Sequence, residues 1–220
     1  MKSLAEIFLT TNEQTMVTEA VKKAELLTSG EIVPLIVSQS YDYPRALLAA
    51  ALTISLPLTF LVTQLLSLVF WINPENVYFF SIILLPLFLL SHFILGKYSS
   101  TTRLFTKVFI SEDEMNREVE EEAVKSFFSE QLYKTRDSNG ILLFISVFEQ
   151  KVWILADHGI QAKIEQHAWD EIISDLTAKI GKHDHGEALC RAIERIGEIL
   201  AHHFPYKKDD TDELHNLIIR

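Results

Sequence analysis

Two stretches of the chain carry no polar rhythm, while the rest alternates with the periods of helix and strand. Ala46–Trp71 runs 26 residues without a charge, and Val77–Leu95 a further 19, separated by Ile72-Asn73-Pro74-Glu75-Asn76. As helices they would reach roughly 39 and 28 Å, against a hydrocarbon core of about 30 Å. A pair of buried helices in a soluble core is the competing reading, but such helices carry a polar stripe on one face. Thr53, Ser55, Thr59, Thr63, Gln64 and Ser67 form no such stripe, and in lipid hydroxyls can bond back to their own helix. Pro57 and Pro86 are tolerated in membrane helices. The pattern predicts a transmembrane hairpin, its spans bounded by Ala46 and Trp71 and by Val77 and Leu95, in contact with the lipid bilayer.

Outside the hairpin the periods change. Thr10 with Glu13, or Thr11 with Gln14, offers a capping box. Val17, Ala20, Val21, Ala24 and Leu27 then recur on one helical face, and Gly30 suits a C-terminal stop. Glu31–Val37 (EIVPLIV) reads as a strand, and Pro34 places it at an edge or on a bulge. After the hairpin, Ser111 with Glu114 caps a helix over about Glu112–Lys134. It carries Met115, Val119, Ala123, Phe127, Phe128 and Leu132 on one side. Asp137-Ser138-Asn139-Gly140 is a turn. Ile141–Phe148 is a nearly continuous apolar run, as in a strand covered on both faces. Glu149-Gln150 turns it into Lys151–Ala156. Two amphipathic helices follow, one carrying Trp169, Ile172, Ile173, Leu176 and Ile180. The other opens at an Asp184/Glu187 box and carries Leu189, Ile193, Ile196 and Leu200. Tyr206–Arg220 reads as a frayed, charged tail.

One strand precedes the hairpin and two follow it, and each helix has an apolar face that needs a sheet to cover. The expected fold is therefore α/β, a small sheet covered by amphipathic helices and interrupted by a two-helix transmembrane hairpin. Residues 1–44 supply its first helix and strand, 45–96 the hairpin, 97–205 the remainder, and 206–220 the tail. An even number of spans returns the chain to the side it left.

Charge adds direction. Arg45 precedes the first span and Lys97, Arg103 and Lys107 follow the second, whereas the connecting loop holds only Glu75. The positive-inside bias places both flanks and the α/β domain in the cytoplasm, with the hairpin in a cytoplasmic (inner) membrane. Trp71, Tyr78 and Phe80 near the loop, and Tyr41, Tyr43 and Tyr98 at the other side, suit interfacial belts. A net charge of −10 with no basic stripe argues against nucleic acid as a partner. Cys190 is the single cysteine, so no intramolecular disulfide forms. Leu4–Leu9, broken by Glu6, is too short for a secretory leader.

Several short motifs, in this order and spacing, resemble the TPM domain family. They are Thr28-Ser29-Gly30-Glu31-Ile32, Asn139-Gly140-Ile141-Leu142-Leu143-Phe144, Phe148-Glu149-Gln150-Lys151-Val152 and Ala156-Asp157-His158-Gly159-Ile160. Ala188–Ile199 with His203-Phe204-Pro205 completes the set. The match is best with the bacterial integral-membrane branch, in which transmembrane helices replace the region between the first and second strands. The resemblance implies an α/β sandwich with a small central sheet. Its relatives include a plant thylakoid-lumen protein associated with photosystem repair and acid phosphatase activity, and an animal auxiliary protein of a ligand-gated receptor. Attendance on membrane protein complexes is their common theme, and the family also carries a phosphatase label.

Phosphoester hydrolysis with a divalent cation, Ca or Mg, needs clustered carboxylates and a positioned water. Glu31, Glu149 and Asp157, at strand ends and turns, are the candidate catalytic residues; each is equally a turn or cap carboxylate. Whether any two share one end of the sheet depends on strand directions. Asp157, His183 and His185 are the candidate metal ligands, because alternating histidines can chelate a transition metal. Cys190 lies at the border of an apolar helix face with no partner pattern for a catalytic thiol. No phosphate loop, nucleophile–base order or dinucleotide fingerprint occurs. Two functions follow: a non-enzymatic accessory module of a membrane complex, or a divalent-cation-dependent phosphatase at the membrane surface. Neither fixes an oligomeric state.

Overall fold

The computed structural model describes residues 3–70, 77–97, 105–180, 185–206 and 214–220. Trp71, the Ile72–Asn76 loop, Tyr98, Arg103, His183 and the Asp184 cap lie outside them. The chain divides into two compact units, one of Met1–Tyr41 with Met115–Arg220, the other of Asp42–Glu114.

The first unit is built on a four-stranded mixed sheet, ordered β3-β2-β1-β4. Its strands are β1 (Glu31–Val37), β2 (Gly140–Ser146), β3 (Lys151–Ala156) and β4 (Ile218–Ile219). β1 is parallel to β2 and β4, and β2 is antiparallel to β3. Two chain segments on either side of the hairpin sequence thus meet as one sheet. β1 and β2 are buried at every position, as the apolar runs Ile32–Val37 and Ile141–Ile145 within them require.

Helices cover both faces. On one side lie α2 (Thr11–Glu25), α7 (Asp170–Ile180) and α8 (His185–His203), over Ile32, Ile36, Ile141, Leu143 and Ile145. On the other lies α5 (Glu112–Ser129), over Val33, Leu35, Leu142 and Phe144. Alternation along the strands divides the side chains between these two layers. Short helices α1 (Leu4–Phe8) and α6 (His158–Gln161) complete the unit. Gly197 lets α8 approach α2 closely, because a Cβ there would stand 2.8 Å from that of Ala24.

Several boundaries differ from the sequence reading, each for a local reason. The capping box of α2 is Thr10 with Glu13, and the helix ends at Glu25 rather than running to Gly30. Leu27 is consequently 59% exposed. α5 stops at Ser129, where Gln131 turns left-handed (φ 62°) into a single 3-10 turn over Leu132–Lys134. Phe128 shares the exposed face of α5 with Val124, away from the buried Met115, Val119, Ala123 and Phe127. α1 arises from a second capping box, Ser3 with Glu6, that the sequence reading passed over.

The last residues are not frayed: Ile218 and Ile219 pair with Leu35 and Ile36. Arg220 N–H donates to the Ile36 carbonyl (2.9 Å), and its guanidinium meets Glu130 at 3.1 Å. The apolar alternation of Leu214, Leu217, Ile218 and Ile219 against both core layers explains this docking.

Pro34 sits in an inner strand, yet its missing donor is harmless. Glu31 N–H points to the β2 side, at Asn139 O (3.1 Å), so Ile32, Pro34 and Ile36 present their main chain to the other side. There β4 reaches only Leu35 and Ile36, and Ile32 N–H is taken by the Glu25 carboxylate at 3.1 Å. Along its first half β1 is an edge on that side, as the proline demands.

The second unit contains α3 (Pro44–Phe70) and α4 (Val77–Lys97). Both are long and apolar enough to cross a membrane. They pack through Leu47, Ala50, Ala51, Phe88 and Leu95, and Ser91 Oγ donates to the Ala51 carbonyl at 3.2 Å. Thr53, Thr59 and Thr63 donate to the carbonyl four residues back, so these hydroxyls are satisfied within the helix.

Glu13 links the N-termini of α2 and α8. Its carboxylate accepts from Thr10 N–H (2.8 Å), the Thr10 hydroxyl and Gly186 N–H (3.2 Å). Partial burial pushes its pKa up, but these bonds and the nearby His185 prevail and hold it below the ordinary 4.5. A depressed carboxylate stabilises the fold above the unfolded-state value and ceases to do so as pH falls through the folded-state value. Glu13→Gln should therefore flatten the loss of urea stability between about pH 5 and pH 3 relative to the parent chain. An unchanged acid limb would remove Glu13 from that role.

Candidate functional site

The sheet has two chemically different ends. Glu31 opens β1, Gly140 opens β2, and Asp157 follows β3. In register Glu31 lies opposite Gly140, and Asp157 N–H donates to Gly140 O at 2.8 Å. Glu31 and Asp157 thus flank Gly140 at one end, and the strand alternation turns both toward the α5 layer. Glu149 lies at the opposite end, in the turn between β2 and β3.

Gly140 leaves a slot between the two carboxylates that the main chain of Leu132 fills; a Cβ at Gly140 would stand 2.5 Å from the Leu132 carbonyl oxygen. The Asp137–Gly140 turn comes equally close to Gly159, where a Cβ would lie 2.5 Å from Ser138 O and 2.9 Å from Asp137 O. Gly159 N–H donates to Ser138 O at 3.1 Å. Asp157 caps α6 through Oδ1, which accepts from His158 N–H at 2.7 Å. Its Oδ2 is buried and has no hydrogen-bond partner among the described residues. Leaving a carboxylate oxygen in that state costs free energy, which marks the atom as one that a cation or donor would satisfy.

The remaining family-like motifs knit this end together. Asn139 is buried; its side-chain amide donates to Ser29 O, and its N–H donates to Thr135 Oγ1 at 3.0 Å. Thr28 Oγ1 donates to Phe204 O (2.6 Å) and accepts from Gly30 N–H (3.0 Å), while Ser29 N–H also donates to Phe204 O (3.0 Å). Thr28-Ser29-Gly30, Asp137–Gly140 and His203-Phe204-Pro205 therefore act first as mutual supports for the start of β1.

Glu149 is not a solvated turn carboxylate. It is 2% exposed; Oε1 accepts from Ser40 N–H at 3.1 Å and Oε2 accepts from the Ser146 hydroxyl. It ties the β2–β3 turn to the chain leaving β1, a structural task remote from Glu31 and Asp157.

His185 stacks on Phe8 with ring centroids 4.3 Å apart. That helix start belongs to the Ser38 end of β1, since Ala5 N–H donates to Ser38 Oγ at 3.1 Å. Asp157 and His185 are thus at opposite ends of the domain and do not share an ion, because α8 runs the length of the sheet between them. His183 lies outside the described residues. Among the described residues no three His, Cys, Asp or Glu side chains are grouped to hold a metal ion. Burial, then the charge of Glu194, push the Cys190 thiol pKa up, away from nucleophilic use at neutral pH.

Residues 95–199 match the TPM domain family. Among solved structures the chain is similar to the BA42 protein of the psychrophilic bacterium Bizionia argentinensis. The likeness has a TM-score of 0.57 and 21% identity, covering 96% of this chain and 94% of that one, and concerns the fold alone. No curated protein matches the chain.

Proposed function

We propose that the chain, whose residues 95–199 match the TPM domain family, is a membrane-anchored, non-enzymatic accessory module of a membrane protein complex. The observation that carries this reading is that one of the three candidate carboxylates, and other carboxylates near the sheet, serve structural contacts. Glu149 is consumed by a buried clamp, Glu25 by the β1 edge and Glu13 by the α2–α8 junction. The two apolar helices fall between β1 and α5, inside the sequence of the α/β unit rather than beside it. Such an insertion tethers a rigid binding domain at both of its chain crossings. The charge bias around the hairpin supports an inner-membrane location with the domain cytoplasmic. Crosslinking in native membranes, followed by identification of what copurifies, should recover a discrete membrane complex. Recovery of the chain alone at every crosslinker length would contradict the proposal.

A second reading is favoured by one specific observation, the buried Asp157 Oδ2 at the same end of the sheet as Glu31, across β2 from it. The two carboxylates supply hard oxygen donors at one end of the sheet, the kind a divalent cation such as Ca or Mg takes. When bound, such a cation would supply charge for polarising a phosphoester. Glu31 and Asp157 would hold it. Ca²⁺ should then raise the melting temperature of the parent chain, and Asp157→Asn should abolish that shift. Turnover of p-nitrophenyl phosphate lost in the same variant would replace the accessory reading with the phosphatase one. Absence of both the shift and the turnover would end the phosphatase reading.

A further inference from the structure

Among the described residues the sheet ends at β4 on one side and at β3 on the other, where no further strand pairs. Asp157 donates inward to Gly140, so by alternation Val152 and Ile154 turn their main-chain N–H and C=O groups away from β2. The Ala156 carbonyl, on that same outward side, is already taken by Gln161 Nε2 at 2.8 Å. Val152 and Ile154 instead face a groove of about 720 Å³, roofed by α5 on one face of the sheet and by α7 on the other. Its apolar lining comes from Val119 and Val124, from Trp153 and Leu155, and from Ile173.

Open strand edges are ordinarily blunted by prolines or charges. Here the sequence KVWILA offers only Lys151 at its start, and Trp153 and Leu155 remain half-buried rather than covered. The two walls each carry a carboxylate, Glu120 on α5 and Asp170 at the start of α7. Neither forms a hydrogen bond or ion pair among the described residues. Both are exposed, in a chain of net charge −10.

We propose that this groove docks an extended, cationic segment of a partner protein, which adds as a fifth strand along β3. The main chain of the segment pairs with Val152 and Ile154. Its side chains alternate between the two layers: apolar ones lie against Trp153 with Lys or Arg at Asp170, or in the opposite phase against Ile173 with Lys or Arg at Glu120. A six-residue strand matches the length of β3. The proposal deepens the accessory-module reading by giving it a surface, and rests on that reading for the existence of a partner.

The probe is a dye-labelled Lys-Val-Lys-Val-Lys-Val peptide, with binding to the detergent-solubilised full chain read by fluorescence anisotropy. Saturable binding is expected, weakened about tenfold or more by Glu120→Lys with Asp170→Lys and by N-methylation of alternate peptide amides. Both substituted side chains are exposed, and reversing Asp170 at the start of α7 forfeits only a helix-terminus contact, so the melting temperature of the variant should fall by no more than about 5 °C. Equal binding of a Glu-Val-Glu-Val-Glu-Val peptide, or indifference to N-methylation, would overturn the proposal. So would a dimer, seen by light scattering and broken by Val124→Asp, since it would give the groove to a second copy. Peptide binding can succeed while membrane crosslinking recovers no complex, so failure of the surface and failure of the accessory reading are separable.

Discussion

Phe144→Ala should lower the unfolding free energy by about 3–5 kcal/mol, the range for removing a large buried aromatic side chain. Phe144 is 0% exposed at the centre of β2, in the layer beneath α5 with Leu35, Val119 and Phe127. It is held by strands from both sides of the hairpin sequence, since Leu35 is its register partner on β1 and Trp153 its partner on β3. The cavity left behind would be lined by rigid strand backbone that cannot collapse far, which puts the cost toward the upper end. A urea midpoint shifted by the corresponding amount, with an unchanged slope, is the expected reading. A shift below about 1 kcal/mol would mean that Phe144 is not at the centre of a packed core.

Glu149→Ala should be the most damaging substitution at a polar position, at about 3 kcal/mol. It removes two acceptors together and leaves Ser40 N–H and the Ser146 hydroxyl unpaired at the end of the sheet. Glu149→Gln keeps an oxygen for one of the two donors and should recover roughly half of the loss. The measurement is again urea unfolding, with proteolysis near Ser40 as a local probe. If Ala and Gln cost the same, the clamp depends on charge rather than on acceptor geometry.

These two residues also mark what the sequence discloses. The strand containing Phe144 was legible because the five-residue apolar run Ile141–Ile145, bounded by a turn signal, suits only a covered strand or a short buried helix. The helices were legible from their i, i+3, i+4 faces and capping boxes. Glu149 was not, because a Glu-Gln pair between two strands reads as a solvated turn. Its burial depends on where β1 lets go of the sheet, a nonlocal fact. The same holds for Ile218 and Ile219: two apolar residues in a charged tail are too short a signal for a strand, and β1 supplies the missing information. Glu31 and Asp157 were legible as individuals but not as neighbours, since only the parallel β1–β2 and antiparallel β2–β3 pairings bring a strand start and a strand end together. For the same reason Glu149 parts from them and His185 parts from Asp157.

The central claim is that Asp42–Glu114 is an anchor inserted into a self-sufficient α/β domain. The direct measurement is alkaline carbonate extraction of membranes. It compares the full chain with a variant whose Asp42–Glu114 is replaced by a Gly/Ser linker of about ten residues. The claim predicts that the full chain stays in the membrane pellet, whereas the variant is soluble and unfolds in one cooperative urea transition. A full chain released by carbonate, or a variant that lacks a cooperative transition, would contradict it.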